Sequence, residues 1–327
     1  MIRRVFVSRE AVLCYVFLAL FSAFASTTEG FLDWFSLLER ARYWVIPGLI
    51  AVPMTFIIAT AGIDLSVASI VAMCGMILGL LYSDAHWPIP LAALAAVLAG
   101  VVAGAFNGGV TSYLKIPPLV VTLATMALYR GVAMGLSKAR TVSNFPDGFQ
   151  WISQGEAFPI PVGNGETVFF PVPLFALILV VALGWLLMRK SWVGRFTECI
   201  GENVTAAAFA AIDVRRMTLG LYTACGLVCG VAALFNTALY NTAKADAATG
   251  MELEAIACVV IGGTRISGGQ GSVLGSLLGL LIIGILRYGL EMAGVKSQQV
   301  IIFVGGLLII TAVFNEWMAA REGRRAR

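Results

Sequence analysis

The chain has 327 residues, 59% of them hydrophobic and 12% charged, with a net charge of +4. A soluble domain carries roughly 45–50% apolar and about 25% charged residues, so the surplus apolar surface must face lipid. That excludes a soluble globular protein, a β-barrel, whose strands read as short alternating segments, and a nucleic-acid binder, which needs a basic stripe with interleaved aromatics.

A spanning helix needs about 20 mostly apolar residues. Ten segments qualify, near 10–28, 43–62, 66–83, 88–107, 117–137, 171–188, 218–240, 250–267, 271–292 and 297–316. The expected fold is an all-α polytopic membrane bundle of about ten helices, one domain over 1–327, with a short or broken helix near 250–267. At the start, Arg3 and Arg4, an apolar run and Ala23-Phe24-Ala25 before Ser26 admit a cleaved signal peptide. A retained first helix is the expectation. With the N-terminus inside, twice as many Lys and Arg fall on the inner as on the outer connections, which places both termini in the cytoplasm.

Two connections are long. Residues 138–170 lie outside and carry Pro146, Pro159 and Pro161 among Phe145, Phe149, Trp151 and Phe158. Residues 189–217 lie inside. There Asn203 reads as an N-cap to a short alanine-rich helix. Phe209 and Ile212, three apart, are expected to share its face. Such an apolar knob on an inner loop either docks into a partner's groove or belongs to a loop that merely sets topology, with Arg215 and Arg216 anchoring the next span.

Gly62-Ile63-Asp64-Leu65-Ser66 joins the second and third spans. Asp64 either N-caps the third helix or is a polar feature of a pathway, since an ionisable group deep in the bilayer costs at least ~2.5–3.5 kcal/mol. Near the end, MELEAIACVVIGGT at 251–264 is a short apolar helix bounded by glycines, and ISGGQGSVLGSLLG follows. An interrupted helix running into a glycine-faced one suits the lining of a membrane pathway. Glu252 and Glu254, two apart, point to different faces, so a catalytic carboxylate pair is not expected. Arg287 and Glu291, four apart, are expected to neutralise each other, and Arg130 lies within a span as a packing or snorkelling cation. Glycines at spacing four, such as Gly100, Gly104 and Gly108, imply closely packed helices.

Ile266-Ser267-Gly268-Gly269-Gln270 looks like the signature of cassette ATPases, but the chain has no GxxxxGK[ST] loop. It is expected to hydrolyse no ATP itself. A single His, and Cys225 and Cys229 without a nearby His, make a poor metal site.

GIDLSVAS at 62–69, NVTAAAFAAIDVRRM at 203–217 and GMELEAIACVVIGGTRISGGQGSVLGSLLG at 250–279, in that order, resemble the permease subunit of bacterial ATP-binding cassette sugar importers. The similarity is to the ribose/xylose/galactose type, with rhamnose and autoinducer-2 permeases as near relatives, over about 43–316. The resemblance implies a multi-pass protein of the bacterial inner membrane, working as a binding-protein-dependent importer of a monosaccharide or similar small polar solute. Its implied partners are the lipid bilayer, a second permease chain (identical or different), a separate ATP-binding subunit and a periplasmic or extracellular solute-binding protein. It implies no cofactor on this chain, ATP and Mg being used by the ATPase. The implied ATPase-coupling helix comprises Gly201, Asn203, Ala206, Ala207, Phe209 and Ile212, with Arg215 and Arg216 beyond it. The implied pathway and helix breaks comprise Gly62, Asp64, Ser66, Glu252, Glu254, Gly262, Gly263, Gly268 and Gly269. The family pattern near the coupling helix is close to GxNPxAARxxGI, and this chain departs from it with Val204, Thr205, Ala208 and Ala211. Permeases for branched-chain amino acids or nucleosides share the architecture and remain alternatives. An ion-gradient-driven secondary transporter is the competing class, opposed by the few buried carboxylates.

Overall fold

The computed structural model describes residues 9–138, 140–162, 167–296, 299–300, 302–311 and 313. Arg3, Arg4, the basic C-terminal stretch and part of the tenth expected span lie outside them. The long helices are α1 (Arg9–Thr27), α2 (Trp34–Ala59), α3 (Val67–Ser83), α4 (Ile89–Tyr113) and α5 (Pro118–Ser137). After them come α6 (Asp147–Gln154), α7 (Pro173–Lys190), α8 (Trp192–Glu202), α9 (Val204–Phe209), α10 (Val214–Tyr240), α11 (Met251–Ile261), α12 (Val273–Met292) and α13 (Ile302–Thr311). Seven of these are long and apolar enough to cross a membrane, and α3 and α13 are shorter apolar helices. The chain folds as a polytopic helical membrane bundle.

α2 runs through the centre and is buried along most of its length. It starts nine residues before the expected span because Asp33 caps it, accepting the N–H groups of Phe35 and Ser36. Charged Glu39, Arg40 and Arg42 therefore sit inside a helix whose apolar stretch begins only later. Thr55 on α2 and Ser276 on α12 share a hydroxyl hydrogen bond of 2.8 Å in the core, the kind of polar contact that ties helices in an apolar medium. α4 and α10 pack most closely. A Cβ on Gly100 or Gly104 would meet the backbone of Gly226 on α10, so the expected glycine-mediated approach is what brings these helices together.

The two ends of the bundle differ. One, here the basic end, gathers the start of α1, the end of α2, the end of α4 and residues 189–216 and 265–272. There Arg189 lies 3.4 Å from Glu10, and Glu10 also accepts from Ser272. The opposite end carries α6 and two small sheets. β1 (Val142–Ser143) pairs antiparallel with β4 (Thr242–Ala243), and β2 (Glu156–Pro161) with β3 (Thr167–Pro171). Buried Arg42 fastens this cap, donating to the Ser153 carbonyl at 3.4 Å and pairing with Glu39 at 2.8 Å. Arg130 donates to the carbonyls of Ala245 and Ala247, both at 2.8 Å. It clamps the turn after β4.

The Arg287–Glu291 expectation is corrected. Arg287 pairs with Glu254 on α11 at 3.0 Å, and Glu291 pairs with Arg40 on α2 at 3.1 Å. Each side chain finds its partner across helices, where packing brings the opposite charges together.

α11 has 11 residues, about 16 Å of helix against an apolar thickness of about 30 Å. The crossing is completed by the irregular segment 262–272, which reaches the basic end. The expected break near 250–267 is present.

Candidate functional site

Two breaks in the helical ladder meet at the basic end, and both are built alike. α2 ends with Ala61 in the left-handed region (φ 62°), the Ala61 N–H bonding Ile58 O and the Gly62 N–H bonding Ile57 O. α11 ends with Gly263 at φ 85°, with Gly263 N–H to Val260 O and Thr264 N–H to Val259 O. Both are Schellman stops, which satisfy the orphan carbonyls of a helix end and reverse the chain.

After the first break, Asp64 is fully buried. Its Oδ1 accepts the Ser66 N–H at 2.9 Å and the Ser66 hydroxyl at 2.6 Å. Asn107 on α4 donates to Ser66 Oγ at 2.8 Å, and Tyr129 on α5 donates to Asn107 Oδ1 at 3.1 Å. Thr122 reaches the Ile63 carbonyl. The second carboxylate oxygen and the Tyr222 hydroxyl on α10 are both buried without a partner among the described residues. The capping expectation for Asp64 changes in detail. Ser66 occupies the N-cap of α3, and Asp64 holds Ser66 from two residues before, in an Asx-type turn.

After the second break, Gly262 packs against the backbone of Gly275 on α12. Gly268 and Gly269, both left-handed at φ 86° and 85°, form a buried turn. This turn meets the end of α8. A Cβ on Gly201 would fall on the Ala59 carbonyl and the Gly269 amide, two groups that are hydrogen-bonded to each other at 3.0 Å. A Cβ on Gly268 would stand 2.8 Å from the Gly201 carbonyl. The stretch resembling an ATPase signature is thus a helix–turn–helix break. Two groups that were separate in sequence, Gly201 and the Gly268-Gly269 pair, are one junction.

The chain leaves that junction into α9. Asn203 is its N-cap, its side chain accepting the Ala206 N–H at 2.9 Å, as expected. Ala207 is buried beneath the helix, while Ala206, Arg215 and Arg216 are exposed. Phe209 is 87% exposed, an apolar ring left open on the surface of the basic end. Ile212 does not share its face. α9 stops at Phe209, Ala211 turns left-handed at φ 60°, and the Ile212 N–H bonds Ala207 O. This is a third Schellman stop, and it turns Ile212 against the core, where it is half-buried.

Glu252 and Glu254 lie on different faces, as read from their spacing, but at the opposite end from the glycine breaks. Glu252 accepts the Gly250 N–H at its own helix start, and Glu254 binds Arg287. Neither joins Gly62, Asp64 and Ser66. Sequence reasoning missed Asn107, Tyr129 and Tyr222. The available signal was a polar Asn inside an otherwise apolar span, which needs a partner in hydrocarbon. Among the described residues no group of three His, Cys, Asp or Glu could hold a metal.

Residues 36–312 match the family model described as the branched-chain amino acid transport system permease component. The chain belongs to this permease family. It is 33% identical over 312 residues to the autoinducer 2 import system permease protein LsrD of Escherichia coli K12, covering 91% of this chain and 92% of that protein. The same protein from Shigella flexneri and from Escherichia coli O157:H7 matches at the same identity and coverage. No solved structure gives a significant match. The chain is a membrane permease subunit of an ATP-binding cassette importer and not an enzyme; ATP hydrolysis belongs to a separate subunit.

Proposed function

We propose that this permease pairs with a second permease chain in the bacterial inner membrane, termini in the cytoplasm, and imports a monosaccharide or autoinducer-2-like solute. The substrate class rests on the similarity to autoinducer 2 permeases across nine-tenths of the chain. A solute-binding protein docks at the end carrying α6 and the two sheets. A cassette ATPase docks at the basic end and receives α9.

The observation that carries the coupling role is the junction of Gly201 with Gly268, Gly269 and Ala59. α9 begins at Val204, three positions after Gly201, so a push on Phe209 is delivered to both helix breaks together. Those breaks flank the buried Asp64 network and the α11–α12 hairpin, the elements that would shift between outward and inward access. A ligand or nucleotide moves such an equilibrium only through differential interaction with its two states. Engagement of α9 in one state of the ATPase supplies it.

Phe209→Asp tests this in proteoliposomes holding the full importer. Uptake and binding-protein-stimulated ATP hydrolysis should both collapse while the permease remains folded. Unchanged transport would remove α9 from the coupling path. Identification of the solute retained by the co-purified binding protein tests the substrate separately; a branched-chain amino acid there would replace the sugar reading and leave coupling intact.

A further inference from the structure

The proposed coupling path makes no use of the far side of Asp64. This residue is fully buried, and its Oδ1 already accepts twice from Ser66. The donors behind Ser66 run one way. Tyr129 donates to Asn107 Oδ1, the Asn107 amide donates to Ser66 Oγ, and the Ser66 hydroxyl donates to Asp64. Oδ1 is therefore the acceptor on which the chain ends. Oδ2 has no partner among the described residues, and neither has the buried hydroxyl of Tyr222. The phenol reaches this turn because residue 62 is glycine: a Cβ there would stand 3.0 Å from Tyr222 Oη.

We propose that Asp64 is a proton-binding site: in this conformation Oδ2 carries a proton and donates it to Tyr222 Oη, a latch between the first helix break and α10. A buried carboxylate persists where an opposite charge or a full set of donors answers it; otherwise the group takes up a proton and is neutral. Asp64 has two donors, both from Ser66, and no ion pair among the described residues. The titratable side chains close enough to feel its charge are Tyr129 on α5 and Tyr222, Cys225 and Cys229 on α10. Phenols and thiols of these types bring no positive charge. The negative pole of α2 and the positive pole of α3 both end at this break and offset each other. Protonation converts Oδ2 from an acceptor that nothing serves into a donor, and the phenol oxygen beside the turn is free to accept. The proton is held only while the break is dry, because water admitted to it would solvate the carboxylate. The latch thus belongs to the conformation described here, and it stands whatever α9 docks against.

The test is infrared spectroscopy of the purified full-length chain in deuterium oxide at neutral pH, with and without aspartate isotope-labelled at its carboxyl carbon. It needs neither ATPase nor solute. The chain has six aspartates, and the other five, Asp33, Asp84, Asp147, Asp213 and Asp246, are exposed to solvent, where a carboxyl group is ionised at neutral pH. One carboxylic-acid carbonyl band that shifts with the label is expected, and it belongs to Asp64. Asp64→Asn should abolish it. Tyr222→Phe, which removes the acceptor and little volume, should keep the band and move it to higher frequency. The isotope shift assigns the band in the wild type, so the test stands even where a variant does not fold. Absence of the band from the wild type overturns the proposal, because Asp64 is then a carboxylate that receives a hydrogen bond from Tyr222 or binds a metal cation. A band that Tyr222→Phe leaves in place overturns the latch.

Discussion

Gly201→Ala is the sharpest perturbation of the proposed coupling path. The added methyl would fall on the Ala59 carbonyl and the Gly269 amide, both backbone and neither able to swing aside as a side chain could. Overpacking of this kind costs about 1–3 kcal/mol. Prising apart the Gly269–Ala59 hydrogen bond adds roughly 0.5–1.5 kcal/mol. The better helix propensity of Ala returns up to about 1 kcal/mol, which leaves a net loss of roughly 0.5–4.5 kcal/mol. Gly220→Ala is the control, since its Cβ meets nothing within 4 Å and only the propensity gain remains. The assay is thermal unfolding in detergent beside ATP-driven uptake in proteoliposomes with the cognate ATPase. Gly201→Ala should melt earlier than wild type and hydrolyse ATP with little uptake, whereas Gly220→Ala should match or exceed wild-type stability. Equal behaviour of the two variants would refute the junction as a close backbone contact, and with it the mechanical link between α9 and the breaks.

Asp64→Ala strands two buried donors of Ser66 and should cost about 2–4 kcal/mol. Asp64→Asn keeps an acceptor in place and should melt closer to wild type than to the Ala variant. Ala211→Gly relieves a left-handed alanine worth about 1–2 kcal/mol, less the entropy cost of glycine of about 0.5–1 kcal/mol. It should slow proteolysis within 204–213 while leaving uptake intact. At the opposite end, the Ser83 hydroxyl first, then Arg140, hold the Asp84 carboxyl below its ordinary value near 3.8. The contribution is therefore present above that value and lost as pH falls through the lower, folded one. Wild type should melt above Asp84→Asn at neutral pH, with the gap closing below about pH 4.

What was legible in the sequence was what depends on local chemistry. Apolar length placed α1, α3, α5, α7 and α12 within two residues of their observed ends, because hydrocarbon allows little besides a helix. The cap at Asn203 was legible because it acts within three residues of itself. The early start of α2 came from its local cap at Asp33; the other errors needed a partner remote in sequence or a backbone angle. Arg287 was assigned its neighbour Glu291, but Glu254 lies 33 residues away and closer in space. Ile212 was placed on the face of Phe209 because a left-handed Ala211 cannot be read from a run of alanines that favours helix. The Asp64 network draws on α4 and α5, and no single span announces it. The same limit explains why the two site groups looked independent. Gly201 and Gly269 are 68 positions apart, and only the requirement that neither carry a Cβ joins them. The departures from the family pattern bear on this. Ala211 stands where the family pattern has glycine, and it makes the stop of α9 in a left-handed conformation that strains an alanine. Ala208 stands where the family pattern has arginine. On the proposed coupling role of α9, the exposed Phe209 ring beside an alanine at 208 favours recognition by apolar contact over recognition by ion pairs. ATPase binding to this permease should accordingly depend only weakly on salt, since screening acts on exposed charges and not on buried apolar area.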